Sequence, residues 1–141
     1  MKRHLLVEGK GVPLSVTITG ANVADMRQTG DVLDATVVVR PDPAHLPQHL
    51  CQDRGYDYDA SRQAVQERGY VLHIPQRGLD TNIPPEGDPA RHPARRWVVE
   101  RSHAWLHKFR KVLIRYERHA CNYLGLVQFA CALIVARKLF G

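Results

Sequence analysis

Two carboxylates stand out by their settings. Asp53 lies in the string LCQDRGYD (50–57), and Glu100, 47 positions later, lies in RRWVVERSHAWLHKFRKVLIRYER (95–118). The first string predicts an acid at the carboxyl end of a short buried strand, where open α/β sheets bind ligands. The second predicts an acid within a basic, aromatic helix. A carboxylate is a hard oxygen donor suited to Mg²⁺, and arginines beside it suit the phosphates that share such an ion. Both acids therefore point to divalent-metal chemistry on a phosphodiester. Each also has a plainer reading: Asp53 as the cap of the following turn, and Glu100 as the i,i+4 partner of Arg96.

Helical spacing places Arg96, Glu100, His103 and His107 on one face. Trp97, Val98, Trp105, Leu106, Phe109, Val112 and Leu113 occupy much of the remainder. A Glu-His-His face could hold zinc, but HExxH is absent and the neighbouring arginines oppose a cation. Arg101, Lys108, Arg110 and Lys111 join Arg96 as candidates for contacts to DNA phosphates. Trp97 and Trp105, eight residues apart, suit either the core or base stacking. The histidines show no Ser/His/Asp or Cys/His spacing, and no cysteine sits at an evident electropositive helix start.

The charge is localised. Residues 91–118 carry nine Lys and Arg against Glu100 and Glu117, a net +7, whereas the whole chain sums to +6 and the remainder to −1. A basic segment on a balanced domain suggests a polyanionic partner, and a folded domain with one nucleic-acid-facing side. The 141 residues amount to one domain. Cys51, Cys121 and Cys131 are an odd set without CxxC spacing, which argues for a reduced, cytoplasmic setting. The amino-terminal MKRHLLVEGKG has too short an apolar run for a signal peptide. The apolar stretch 124–135 suits a buried helix and is too short to span a bilayer.

Positioning these residues requires several elements. Lys2–Val7 and Val12–Thr19 read as a hairpin joined by Glu8-Gly9-Lys10-Gly11. Asn22 reads as the N-cap of a helix through about Ala35, with Asp25 at N3. Residues 48–52 read as the strand ending at Asp53, with Asp57 or Asp59 capping a helix over 61–68 that Gly69 stops. Tyr70–Ile74 then completes a parallel strand–helix–strand unit. Pro75–Pro93 holds five prolines and reads as a loop. Helices from about Ala94 to Phe109 or beyond, and from about Asn122 to Leu139, close the chain.

Three strings, taken in order, resemble the catalytic domain of bacterial insertion-sequence transposases of the DDE type, nearest to the family-five, IS-four-like elements. They are KRHLLVEGKGVPLSVTITGANVADM, LCQDRGYDYDASRQAVQERGYVLHIPQR and RRWVVERSHAWLHKFRKVLIRYERHACNYLGLVQFACALIVAR, which together span nearly the whole chain. The resemblance implies an α/β, RNase-H-like mixed sheet flanked by helices. It also implies that Asp53 is the second and Glu100 the third acid of a metal-binding catalytic triad, with Arg96 in the helix signature. Pro93 and His107 depart from that signature. The implied chemistry is phosphoryl transfer with two Mg²⁺ (or Mn²⁺) about 3.5–4 Å apart.

In such domains the first acid stands on a central strand upstream of the hairpin, so a partial domain lacking that strand is expected. Its neighbours would then carry open edges. The expectation is a carboxyl-terminal transposase portion, inactive alone. Its partners would be double-stranded DNA, an upstream-frame product or intact transposase subunits, in the bacterial cytoplasm at the nucleoid and with no membrane. The alternative is a non-catalytic DNA-binding or inhibitory fragment.

Overall fold

The chain, seen here as a computed structural model, is described for residues 1–74 and 97–141. In chain order the elements are β1 (Lys2–Val7), β2 (Pro13–Thr19), a 3₁₀ turn (Asp25–Gln28) and α1 (Thr29–Asp34). Next come β3 (Gln48–Cys51), a second 3₁₀ turn (Arg54–Tyr56), α2 (Asp59–Glu67) and β4 (Tyr70–His73). The last elements are α3 (Trp97–Leu106), α4 (Arg110–Leu113) and α5 (Ala120–Phe140). They form two compact units. The first comprises Met1–Asn22, Ala35–Val37 and Trp97–Gly141; the second comprises Val23–Asp34 and Val38–Arg96.

In the first unit β1 and β2 pair antiparallel from Lys2↔Thr19 to Leu6↔Ser15, and a shift after Leu6 sets Val7 opposite Pro13. Pro13 cannot donate to the ladder and sits at the first position of its strand, where that loss is tolerated. Glu8 closes the connection: its Oε1 accepts the N–H of Lys10 at 2.8 Å and of Val12 at 3.1 Å. Gly11 adopts φ +86°, a left-handed conformation that favours glycine, and a Cβ there would meet Ser102 Oγ at 3.0 Å. The hairpin turn thus lies directly against α3.

Val16, Leu106, Val112, Tyr123, Val127, Ala130, Cys131 and Ile134 form the core of this unit, with Leu5, Ile18, Trp105, Phe109 and Leu124 packed on it. Residues 120–136 of α5 contain no charged side chain. By length and composition α5 could cross a bilayer, yet Tyr123, Val127, Ala130, Cys131 and Ile134 bury one of its sides in this core. The helix is longer than the sequence suggested, because its first turn and last turn continue past the apolar run.

In the second unit β3 and β4 pair parallel, Gln48↔Tyr70 through Cys51↔His73, with α2 as the crossover. Leu33, Leu50, Val65 and Ile74 are its buried apolar side chains. Polar contacts supplement them. The buried hydroxyls of Thr29 and Ser61 lie 2.9 Å apart, and Gln52 reaches both at 3.4 Å. Arg68 holds Asp34 with two bonds of 2.7 and 2.6 Å. Arg40 lies 3.7 Å from the Tyr70 ring centroid and donates to Gln48 Oε1 at 2.6 Å. Gly69 ends α2 with φ +71°.

Among the described residues the strands form two small sheets, β1–β2 and β3–β4, flanked by helices, a mixed α/β arrangement compatible with the expected fold class. Several expectations are corrected. The helix expected from Asn22 begins as a 3₁₀ turn whose cap position is Ala24, with no side-chain cap. The Asn22 side chain is turned back towards Gly20 instead. Likewise Tyr58 occupies the cap position of α2, because Asp57 is engaged by Arg62 and Asp59 is already in the first turn. The expected loop 75–93 and the start of the following helix lie outside the described residues.

Candidate functional site

Asp53 stands two residues beyond β3. The parallel pairing continues past that strand, since the Gln52 N–H donates to His73 O at 3.0 Å. The backbone of Asp53 is extended (φ −76°, ψ 160°), and its Oδ1 accepts the Arg54 N–H at 2.6 Å, capping the second 3₁₀ turn. The capping reading and the strand-end reading are therefore both satisfied by one exposed carboxylate. Tyr56 is half-buried. Burial pushes its phenol above the usual range, and the charges of Asp25 and then Asp53 add to the shift. Asp25, read in the sequence as the N3 residue of the expected helix, thus acts on the same phenol as Asp53.

On the face of the parallel pair shared by residues 49, 51 and 73, His49 Nδ1 lies 2.7 Å from His73 Nε2. One of these nitrogens must donate and the other accept. The sequence did not signal this pair, since 24 residues separate the two imidazoles and only the strand register joins them.

Glu100 is exposed in the first described turn of α3, where a negative charge suits the helix dipole. His103 follows one turn later and is half-buried. Its pKa is lowered from 6.5 by burial first, then by the charges of Arg3, His107 and His4. His107 continues the helical bonding with an N–H···O bond of 3.0 Å to His103 and meets Arg3 Nη2 at 2.9 Å. Arg96 lies outside the described residues, so of the predicted face Glu100, His103 and His107 can be placed.

The basic side chains behave differently from one another. Arg101 donates to Lys10 O at 2.6 Å and lies 4.9 and 5.1 Å from the Trp97 and Trp105 rings. Lys138 covers Trp105 as well, at 4.7 Å. Ser102, fully buried, donates to the carbonyls of Gly11 at 2.6 Å and Val98 at 3.1 Å. These contacts fasten the hairpin turn to α3. Lys108, Arg110 and Lys111 are exposed just beyond it.

Neither acid belongs to a group of three or more His, Cys, Asp or Glu able to hold a metal among the described residues. Each nevertheless fits Mg²⁺ in one respect, since this ion is commonly held by one or two carboxylates together with substrate phosphates and water. The sequence missed Arg3. Its signal was present: strand alternation puts residue 3 on the side of Leu5, an unusual place for a charge.

The chain is a member of the transposase DDE domain family, whose model matches residues 1–135. It is 36% identical over 136 residues to a Burkholderia cepacia protein named as a transposase for insertion sequence element IS402. That alignment covers 94% of this chain and 61% of the relative, so the chain spans about three-fifths of its relative's length. No solved structure matches it significantly.

Proposed function

We propose that the chain is the part of an insertion-sequence transposase that carries the second and third catalytic acids, Asp53 and Glu100. The observation that supports this most is the membership of residues 1–135 in the DDE family together with exposed carboxylates at both positions. An antiparallel hairpin followed by a parallel strand–helix–strand also fits part of the RNase-H-like sheet that the resemblance implies. Asp53 and Glu100 would each offer one carboxylate as a ligand for Mg²⁺, an ion that would supply charge stabilisation to phosphoryl transfer. Lys108, Arg110 and Lys111 contact DNA phosphates, joined by Arg96. Arg101 is engaged by the hairpin and both indoles, so among the described candidates Lys108, Arg110 and Lys111 carry the exposed charge.

These 141 residues alone supply two of the three acids, and we expect them to bind DNA without cutting it. Incubation with terminal-repeat DNA and Mg²⁺ or Mn²⁺ tests this; robust cleavage lost in Asp53→Asn would overturn it. The second reading, a DNA-binding fragment that restrains an intact transposase, is favoured by the +7 segment at 91–118. It predicts reduced transposition when the chain is co-expressed with the complete enzyme.

A further inference from the structure

Arg3 is a charge on the core-facing side of β1, opposite Ile18 in the hairpin register. Its guanidinium is fixed at two points. Nη1 donates to Val112 O at 3.2 Å, and Nη2 meets His107 Nε2 at 2.9 Å. The Val112 carbonyl is itself anchored, because it also accepts the buried Tyr123 hydroxyl at 2.8 Å. Arginine has no acceptor, so the lone pair belongs to His107 Nε2 and the imidazole proton to Nδ1.

Two of the five N–H bonds of Arg3 are engaged among the described residues, and no described carboxylate pairs with it. The contact with His107 lies at the surface. His103 adjoins the same cluster, and the charged neighbours acting on it are Arg3, His107 and His4, none of them acidic. A held guanidinium with spare donors, whose histidine partner carries an N–H of its own, is complementary to a tetrahedral oxyanion. His103 stands three residues after Glu100, about 4.5 Å of helical rise.

We propose that Arg3, assisted by His107, binds a backbone phosphate of DNA on the Glu100-bearing unit. The inference rests on the DNA-processing role given above. A hairpin residue thereby becomes part of the substrate-binding surface, and its grip on Val112 and His107 sets where the phosphate lies.

The test is fluorescence anisotropy of the 141-residue chain with a labelled duplex between 50 and 200 mM salt, in parallel with NMR titration by inorganic phosphate. Arg3→Ala should lower the salt slope by about one phosphate contact and weaken binding about tenfold, and Arg3→Lys should restore the slope. An unchanged slope in Arg3→Ala overturns the proposal while leaving DNA binding by the chain intact. If Arg3→Ala does not fold, the unsubstituted chain decides. Phosphate should shift the Arg3 side-chain and the His103 and His107 ring signals together, and no such shift overturns the site. Should the chain bind no DNA at all, the broader reading falls, and a saturable phosphate response would then assign the site to free phosphate, overturning DNA as its source.

Discussion

The unit carrying Glu100 and the unit carrying Asp53 are held by different means. Around Glu100 the helix is seated on a continuous apolar core, with Leu106 of α3 and Val127 of α5 fully buried. Around Asp53 the apolar core is smaller, and hydroxyls, an amide and two arginines do much of the fastening. Apolar contacts tolerate changes in acidity but not loss of volume. Hydrogen-bonded contacts are individually modest yet leave orphaned partners when broken. The two acids are thus presented by supports that should fail under different perturbations.

The largest separation should come from volume. Leu106→Ala removes a side chain with no solvent exposure and should destabilise the first unit by about 2–5 kcal/mol. Amide hydrogen exchange should then accelerate in β1, β2 and α5 while α2 and β4 retain their protection. Equal acceleration everywhere would show that the two units unfold as one. Ser61→Ala should act on the other unit, costing about 1–2 kcal/mol through loss of the Thr29 and Gln52 contacts. Urea unfolding followed at the Asp53 unit would measure it.

Within the first unit, Arg101→Ala and Lys108→Ala sharpen the contrast between a structural and a surface cation. Arg101→Ala should lower stability by about 1–2 kcal/mol, since it removes two indole contacts and a bond to Lys10 O. Lys108→Ala should leave thermal stability within about 0.5 kcal/mol. It should instead reduce the salt slope of DNA binding by about one. The reverse pattern would exchange their roles.

Acidity should produce the smallest effect, in two windows. His103 has a lowered pKa in the folded chain, so its unfolded form takes up a proton first. Stability in the first unit is therefore full above 6.5 and declines as pH falls below that value. Asp34 is held below 3.8, chiefly by its hydrogen bonds from Arg68. Its contribution is full above 3.8 and is lost only as pH falls through the folded value. Melting curves from pH 7.5 to 3, with His103→Gln removing the upper window, check the order.

Much of this organisation was legible in the residues. The Glu8–Gly11 connection, the parallel unit ended by Gly69 and the long terminal helix follow from turn chemistry and periodicity, which act locally. The capping assignments at Asn22, Asp57 and Asp59 failed because each side chain's engagement depends on neighbours that local pattern does not reveal, such as Arg62 for Asp57. The His49–His73 contact and the Arg3–His107 contact depend on register and packing between residues 24 and 104 positions apart. Asp53 was legible in both its senses, because capping a turn and ending a strand require the same residue at the same place.

The fastening of the hairpin turn to α3 has a consequence for tolerance to change. Arg101 and Ser102 grip the carbonyls of Lys10 and Gly11, which are common to every residue type. The side chain of Lys10 can therefore vary without disturbing the grip, whereas adding or deleting one residue would shift which carbonyls are presented. The turn is constrained in length and nearly indifferent to spelling, Gly11 excepted, and the placement of the helix bearing Glu100 inherits that rule.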